Sequence, residues 1–197
     1  SKDDTPNGGG GGVVDLLLLH GADVDARDDD QQTPLHVTAD SGITEVAELL
    51  IHHGADINAC DKNQQTPLHR AASCGNNEIA VVLLTKNNGA STTNLRDKDL
   101  MTPLHLAAWN PDEPTDIAEM LLLHGGAEVD ARDDDQQTPL FGAASWGHSG
   151  IVELLILYGA EVNACDNDQE RTPLQVAGST LDIAAQLLQC SMMAFHV

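Results

Sequence analysis

Short apolar segments recur along the chain, each followed by a Gly-Ala pair and then a polar stretch. In 46–50, 79–84 and 151–155 the apolar positions have the spacing of one helix face. Glycine is the usual left-handed residue after a helix, so these helices should stop there. The predicted stops are Gly54, Gly89 and Gly159. The Asp-Ile-Asn or Glu-Val-Asn that follows predicts a short extended arm and a turn.

A Thr-Pro-Leu segment begins a second kind of helix in each unit. It starts at Thr33, Thr66, Thr102, Thr138 and Thr172, at intervals of 33, 36, 36 and 34 residues. Threonine is a good N-cap, and proline suits the first helical position because no N–H is needed there. A period near this length is typical of stacked units, each too small to bury its own apolar face. The chain is therefore predicted to be an all-α solenoid.

These units resemble ankyrin repeats. Residues 33–65 contain TPLHVTADSG, EVAELLI and HHGADINACDKNQQ, and residues 138–164 contain GAASWGH, IVELLI and YGAEVNA, as the family's unit does. The resemblance extends over about residues 13–190. It implies helix-turn-helix repeats, each followed by an outward β-hairpin that we call a finger.

The predicted domain organisation is one repeat array with different segments at its ends. Residues 1–12 are predicted to be a glycine-rich irregular strip, because glycine is the poorest helix former after proline. The array, 13–190, opens with a half repeat, 13–32, and 191–197 form a C-terminal tail. Full repeats are predicted to begin near residues 33, 66, 102, 138 and 172.

Two stretches of the array are identical. Residues 24–35, VDARDDDQQTPL, recur at 129–140, which is 105 residues later, and the finger at 57–65 is echoed at the same distance. The helices between the matching fingers differ. This long period indicates that three repeats were duplicated as a block.

The charge of the chain is strongly one-sided, with 31 acidic and 9 basic residues and a formal net charge of −22. Such a field repels phosphate backbones and anionic lipid and favours a basic partner. We therefore expect a protein partner with a basic or mixed surface, and neither nucleic acid nor a membrane. The alternative is that the acidic residues only keep the solenoid soluble.

Two aspartate triplets, Asp28–Asp30 and Asp133–Asp135, are predicted to lie on finger tips. Neither triplet has the spaced oxygen ligands and the glycine of a known calcium loop. We interpret both as solvated acid. No metal, cofactor-binding or catalytic residues are expected.

The histidines and cysteines have structural interpretations. The resemblance implies that His36, His69 and His105 of the Thr-Pro-Leu-His turns make hydrogen bonds within and between repeats. Phe141 and Gln175 replace this histidine in the other two turns, which a catalytic role would not allow. The chain is thus predicted not to be an enzyme.

The cysteines show no CxxC pair and are predicted to be free thiols in a reducing compartment, the cytoplasm or the nucleus. They are Cys60, Cys74, Cys165 and Cys190.

The resemblance also implies a partner-binding surface formed by finger tips and the exposed side of first helices. The matching helix positions are Asp40, Ser41, Ser73, Cys74, Trp109, Asn110, Ser145 and Trp146. The matching finger positions are Lys62, Asn63, Lys98, Asp99, Met101, Asp134, Asp135 and Arg171, with Asp29 and Asp30 at one end. Tryptophan is enriched at interface hot spots, so both tryptophans on adjacent repeats would make one apolar platform. The alternative is a tryptophan packed under the neighbouring finger.

The finger turn departs from the family at the position where glycine is usual. The residues there are Gln31, Gln64, Leu100, Gln136 and Gln169. If this position keeps a positive φ, each substitution costs about 1 kcal/mol relative to glycine. A different turn is therefore the alternative.

Two further expectations concern modification and assembly. Asn58 and Asn163 resemble sites of an asparaginyl hydroxylase that acts on ankyrin fingers, although a repeat consensus produces the same match. The chain could instead assemble end to end, its half repeat at Val13 meeting the apolar end near Leu187 of the next copy. A heterologous contact of this kind does not close and makes filaments.

Overall fold

The structure is a computed structural model, and it describes residues 11–86, 92–124, 126–167 and 170–178. Within these ranges the regular elements are all α-helices, and no residue there belongs to a strand. The helices are α1 (Gly11–Leu19), α2 (Pro34–Ser41), α3 (Thr44–His52), α4 (Pro67–Cys74), α5 (Asn77–Lys86), α6 (Pro103–Trp109), α7 (Thr115–Leu123), α8 (Pro139–Trp146), α9 (Ser149–Leu157) and α10 (Pro173–Val176).

The helices form two rows. The even-numbered helices α2 to α10 are the first helices of the repeats, and each contacts the next even-numbered helix. The odd-numbered helices α1 to α9 are the second helices and contact one another in the same order. Each second helix from α3 onwards also packs against the first helix that precedes it in the chain. This arrangement confirms the predicted all-α solenoid.

The first helices begin as the sequence predicts, and glycine ends those that are eight residues long. Each N-cap threonine has an extended backbone, and proline occupies the first turn. Gly42, Gly75 and Gly147 end three of these helices at φ of 73°, 71° and 82°. Helix α6 instead ends at Asn110 with extended backbone, because residues 111–114 lengthen the loop before α7. Gly54 and Gly159, at φ of 89° and 88°, follow the second helices as predicted.

The core lies between the two rows and is built of leucine, isoleucine and alanine. The leucine of each Thr-Pro-Leu segment from Leu35 to Leu140 is fully buried. The alanines let neighbouring first helices approach closely. Each buried leucine stabilises the fold by about 2 kcal/mol relative to an exposed one. The fully buried large side chains include Leu35, Leu68, Ile79, Leu83, Leu104, Ile117, Leu121, Leu140, Ile151 and Leu155.

The ends of the array are only partly described. Helix α1 begins at Gly11, two residues before the predicted boundary at 13. Its Asp15 carboxylate accepts a hydrogen bond from Nε2 of His53 at 3.0 Å, which ties α1 to the end of α3. The expectations for residues 1–10, Gly89, Gln169, Leu187, Cys190 and the tail 191–197 lie outside the described residues.

The fingers keep the glycine-type turn although they lack glycine. The fingers are residues 23–32, 56–65, 92–101, 128–137 and 161–171, numbered 1 to 5 here. The backbone φ is 61° at Gln31, 60° at Gln64, 58° at Leu100 and 59° at Gln136. The alternative of a different turn is therefore wrong. In finger 5 Glu170 has a positive φ of 53°.

Candidate protein-binding surface

Backbone hydrogen bonds join the finger tips into one continuous edge, which we call the tip strip. The N–H of Lys62 donates to the carbonyl of Asp30 at 3.0 Å, and the N–H of Lys98 donates to that of Asn63 at 2.9 Å. The same bond joins the next two pairs of fingers, from Asp134 to Asp99 at 3.1 Å and from Asn167 to Asp135 at 2.9 Å. These bonds could not be predicted from the sequence, because they are backbone contacts without a side-chain signature.

Arginines clamp three of the joints between fingers. Nη1 of Arg27 donates to the carbonyl of Gln31 at 3.0 Å and to that of Cys60 in finger 2 at 2.7 Å. Arg96 and Arg132 make the same pair of bonds in fingers 3 and 4. In finger 2 this position is Cys60, so the joint to finger 3 has no such clamp. Instead, Nε2 of Gln65 donates to Asp97 there at 3.0 Å.

The Thr-Pro-Leu-His histidines connect repeats, and their predicted structural role is confirmed. Nδ1 of His36 accepts the N–H of Thr33, so Nε2 carries the proton and donates to the carbonyl of Gln65 at 3.0 Å. His69 and His105 bond in the same way to the last carbonyl of the following finger. Burial lowers the pKa of all three, and that of His105 to about 4.

The first aspartate of each finger turn accepts backbone N–H groups of its own turn. Asp61, Asp97, Asp133 and Asp166 are buried in this role. The interpretation of the triplet 133–135 as solvated acid is therefore wrong for Asp133, whose pKa burial raises to about 6. Burial also acts to raise the pKa of Asp61, but the Arg70 guanidinium and two backbone N–H groups outweigh it and leave this pKa lowered.

The predicted helix positions differ in their exposure. Ser41, Ser73, Cys74, Ser145 and Trp146 are exposed, and Asp40 and Trp109 are half-buried. Asn110 is only 5% exposed. Its Nδ2 donates to the carbonyl of Ser73 at 2.8 Å, at the end of the preceding first helix. We therefore remove Asn110 from the candidate contact residues.

The role of Asn110 recurs at two other joints. Nδ2 of Asn76 donates to the carbonyl of Ala39 at 2.6 Å, and Nδ1 of His148 donates to that of Ala108 at 3.1 Å. Each side chain thus satisfies a carbonyl at the end of the preceding first helix, where helices leave such groups unpaired. The sequence signal was the polar residue after the glycine in Gly75-Asn76 and Gly147-His148.

The two tryptophans have different environments. Trp146 is 55% exposed, and its ring stacks on His148 with a centroid separation of 6.3 Å. Trp109 lies against Gly142 of the next first helix, where a Cβ would be 1.8 Å from the indole Nε1. The indole N–H of Trp109 is buried and has no hydrogen-bond partner within the described residues. Trp109 is therefore partly packed, against a helix rather than a finger, while Trp146 faces solvent.

The predicted finger positions include five exposed side chains, those of Lys62, Lys98, Asp99, Asp134 and Asp135. Asn63, Met101 and Arg171 are half-buried. Nζ of Lys62 pairs with Asp30 of finger 1 at 2.5 Å. Nη2 of Arg171 pairs with the buried Asp166 at 2.9 Å, and its guanidinium lies 5.9 Å from the centre of the Phe141 ring.

The cations of the array mostly bond to other parts of the array. Arg27, Arg96 and Arg132 bind finger carbonyls. Arg70 binds the buried Asp61 at 2.7 Å and approaches Asp40 of the preceding repeat at 3.8 Å. The exposed carboxylates of the tip strip belong to Asp29, Asp30, Asp99, Asp134 and Asp135. The surface charge of the tip strip is therefore predominantly negative.

The two asparagines predicted for hydroxylation lie in a slot that links fingers. Asp25 and Asp130 fill this slot in fingers 1 and 4, and each accepts a backbone N–H of the next finger, at 3.0 and 2.9 Å. Asn94 does the same in finger 3 at 2.9 Å. Asn58 is half-buried, and Asn163 is exposed.

The thiols of Cys60, Cys74 and Cys165 are free, as predicted. Burial raises the pKa of the Cys60 and Cys74 thiols, which keeps both protonated at neutral pH.

The described residues contain no cluster of His, Cys, Asp or Glu side chains placed to hold a metal ion. Of the helices in the described ranges, none combines the length and apolar character needed to cross a bilayer.

Two rows of short helices with a row of turns along one edge define a helical-repeat solenoid. A family model for ankyrin repeats, described as "Ankyrin repeats (3 copies)", matches residues 7–95, 60–133 and 104–195, and the chain belongs to the ankyrin-repeat family. A search of curated proteins found no match. Ankyrin repeats generally mediate protein–protein interaction, and proteins built from them are generally non-enzymatic scaffolds.

Proposed function

We propose that the chain is a non-catalytic scaffold that binds a partner protein on the side formed by the finger tips and the first helices. The observation that carries this proposal is the exposed indole of Trp146 at the end of α8, 55% of whose surface is accessible. Tryptophan is strongly enriched at interface hot spots. An indole that remains exposed on a folded repeat is available for such a contact.

The partner we propose has a basic or mixed surface. The carboxylates of Asp99, Asp134 and Asp135 lie on neighbouring fingers of the tip strip, and the chain has a formal net charge of −22. Complementary charge increases the rate of association more than it increases affinity. We therefore expect an association rate that falls as the salt concentration rises, while the tryptophan contact determines mainly the dissociation rate.

The test compares two substitutions that remove large exposed side chains from opposite rows of helices. Trp146→Ala removes the proposed contact from α8, and Leu157→Ala is the control, because Leu157 is 80% exposed at the end of second helix α9. Proteins retained by the immobilised wild-type chain are identified, and the Kd of each is measured by calorimetry. We expect a partner whose affinity falls at least tenfold with Trp146→Ala and stays unchanged with Leu157→Ala. A partner that binds all three chains equally contradicts the proposed surface.

The same partner tests the charge argument. Asp134→Asn and Asp135→Asn together remove two carboxylates from finger 4 without changing side-chain volume. The association rate should fall several-fold and become less sensitive to salt. An unchanged rate and salt dependence would leave the acidic residues with a role in solubility alone.

End-to-end assembly is the second candidate, and the exposed apolar side of α1 favours it. Val13, Leu16, Leu17 and Leu19 are between 57 and 67% exposed. Light scattering over a hundredfold range of concentration tests this candidate. A mass near 20.9 kDa at every concentration rejects it, and growth of the mass with concentration supports it. A variant with Leu16→Glu and Leu19→Glu should then remain monomeric.

For the compartment we propose the cytoplasm or the nucleus, because the Cys60, Cys74 and Cys165 thiols are free. In such a compartment Asn58 and Asn163 are the proposed hydroxylation sites. Peptide mass spectrometry of the chain isolated from cells tests this proposal, since hydroxylation adds one oxygen to the peptide that contains either asparagine. Unmodified peptides after co-expression with an asparaginyl hydroxylase contradict it.

A further inference from the structure

A groove lies at the start of the array, where the row of first helices begins. Val14 of α1, Pro34 and Val37 of α2, and Val46 and Leu50 of α3 line it, and its volume is about 400 Å³. A second groove of about 310 Å³ continues from Pro34 and Val37 to Arg27 and Gln32 of finger 1. Together the two grooves extend along the side of α2 and finger 1 that faces away from the rest of the array.

In the other repeats, the equivalent surface is covered by the preceding first helix. Pro67, Pro103 and Pro139 are buried at this contact, whereas Pro34 is half-buried. Val37 is 50% exposed, while Gly142, its equivalent on α8, is buried under Trp109 of α6. In those repeats the element that covers this surface is therefore a first helix of about two turns.

The hydrogen-bonding groups of the groove have the same pattern. The carbonyls of Gln65, Met101 and Gln137 each accept Nε2–H from the histidine of the preceding first helix. Gln32 holds the same position at the end of finger 1, where its carbonyl accepts the N–H of Asp28 as Gln65 accepts that of Asp61. The described part of the chain contains no first helix before α2 to supply the histidine.

The surface left uncovered at the two grooves can hold one helix but not a whole repeat. Helix α1 already contacts α3 in the row of second helices. A complete incoming repeat would bring its own second helix to the place that α1 occupies. A single short helix meets no such obstacle.

The sequence just before α1 is a poor source of this helix. The five residues from Pro6 to Gly10, which directly precede α1, include three glycines. The first helices α2, α4 and α8 have eight residues each. Glycine is also about 1 kcal/mol less favourable than alanine at each position of a helix interior.

We propose that this groove binds, from another protein chain, a two-turn helix that begins with Thr-Pro-Leu-His. Its leucine and alanines would contact Val37 and Leu50, and its histidine would donate Nε2–H to the carbonyl of Gln32. Ser41 belongs both to the lining of this groove and to the proposed surface of finger tips and first helices, but Trp146 and the carboxylates of fingers 3 and 4 lie outside the groove lining, so either proposal can fail without the other.

The probe is an acetylated, amidated peptide with the sequence of residues 66–73, TPLHRAAS. The last residue of this sequence has the repeat position of Trp109, which lies against Gly142, so by the same register it would approach Val37, the equivalent of Gly142 on α2. The peptide is titrated into the full isotope-labelled chain, and amide shifts are followed by NMR. We expect saturable shifts that centre on Val37, Val46 and Leu50. A peptide with phenylalanine in place of histidine should bind about tenfold more weakly, because it leaves the Gln32 carbonyl without this donor.

Two variants of the chain control for non-specific attraction of a cationic peptide to an acidic protein. Val37→Asp places a charge in the groove and should abolish binding. Val81→Asp places the same charge on α5, where Val81 is 40% exposed, and should leave binding unchanged. Far-ultraviolet circular dichroism and Tm verify that both variants fold. The proposal is overturned if the shifts do not saturate, if they centre on the tip strip, or if the two folded variants bind equally.

Discussion

The indole of Trp109 lies directly against Gly142, on the next first helix. A Cβ on Gly142 would be 1.8 Å from Nε1 and 2.0 Å from Cδ1 of that indole. The absence of a side chain at Gly142 thus makes room for Trp109 between two repeats. A residue predicted to bind a partner is in this way also part of the contact between α6 and α8.

Gly142→Ala should destabilise the array although alanine favours helix by about 1 kcal/mol. The added methyl group forces the indole out of its place, and overpacking of this kind costs about 1–3 kcal/mol. We expect a net loss of stability in urea unfolding. In a Trp146→Phe background the emission of Trp109 should also shift to the red. Gly150→Ala is the control, since its Cβ would come no closer than 3.1 Å to Oε1 of Glu113 and 3.2 Å to Oγ1 of Thr115, which requires shifts of only a few tenths of an ångström. Equal effects of the two substitutions would contradict this account.

The repeated histidines predict a loss of stability in mild acid. The native pKa of His105 is about 4 and the unfolded value is 6.5, so unfolding takes up a proton between these pH values. Its contribution is complete above pH 6.5 and is lost as the pH falls towards 4, a change of up to about 3 kcal/mol. His36 and His69 act in the same direction.

His105→Phe separates this effect from other titrations, because Phe141 fills the equivalent position in the next repeat. The variant should be less stable than wild type at pH 7, where it leaves the carbonyl of Gln137 without its donor. The difference should shrink at pH 5. Urea unfolding at both pH values measures this, and a difference that does not depend on pH would assign the histidine a packing role alone.

The raised pKa of Asp133 predicts a pH dependence of stability opposite to that expected from His105. Burial raises the pKa of Asp133 to about 6 from 3.8, so the native state binds a proton more readily than the unfolded state does. The contribution is present below pH 3.8 and is lost as the pH rises through 6. Asp133→Asn should therefore raise stability at pH 7, by at most about 3 kcal/mol, and change it little at pH 4.

The duplicated finger supplies the matched control for this variant. Asp28 lies in the identical sequence of finger 1 but is exposed, because no finger precedes it in the described part of the chain. Asp28→Asn should thus give a smaller change at pH 7. If both substitutions have the same effect, burial is not the cause of the raised pKa.

This pair of fingers also shows where prediction from the sequence ends. The Thr-Pro-Leu starts and the apolar second helices predict both rows of helices, because local capping and periodicity determine them. Twelve identical residues cannot predict that Asp133 is buried and Asp28 exposed, since the difference comes from the neighbouring repeat. Asn110 shows the same limit: its position in the repeat suggested a surface residue, but the lengthened loop turns it towards the preceding helix.

The finger turns predict that glycine substitutions stabilise the chain. Gln31 and Gln64 have φ of 61° and 60°, a region that costs a non-glycine residue about 1 kcal/mol. Gln31→Gly and Gln64→Gly should each raise the free energy of unfolding by a large part of this amount, and the effects of separate fingers should add. Gln32→Gly is the control in the same finger and should lower stability, because Gln32 lacks a positive φ. A loss of stability with Gln31→Gly would show that its side chain outweighs the backbone strain.

Cys60→Arg should add the missing clamp between fingers 2 and 3. Cys60 occupies the position of Arg27, Arg96 and Arg132, each of which bonds a carbonyl of its own finger and one of the next. The nearby carboxylates of Asp56 and Asp61 already raise the pKa of the Cys60 thiol, after burial, and would favour a cation there. We expect a gain of about 1 kcal/mol in urea unfolding, and a similar loss for Arg96→Cys. The two substitutions exchange the same pair of side chains in opposite directions. If neither changes stability, the arginine bonds follow the stacking of the fingers without strengthening it.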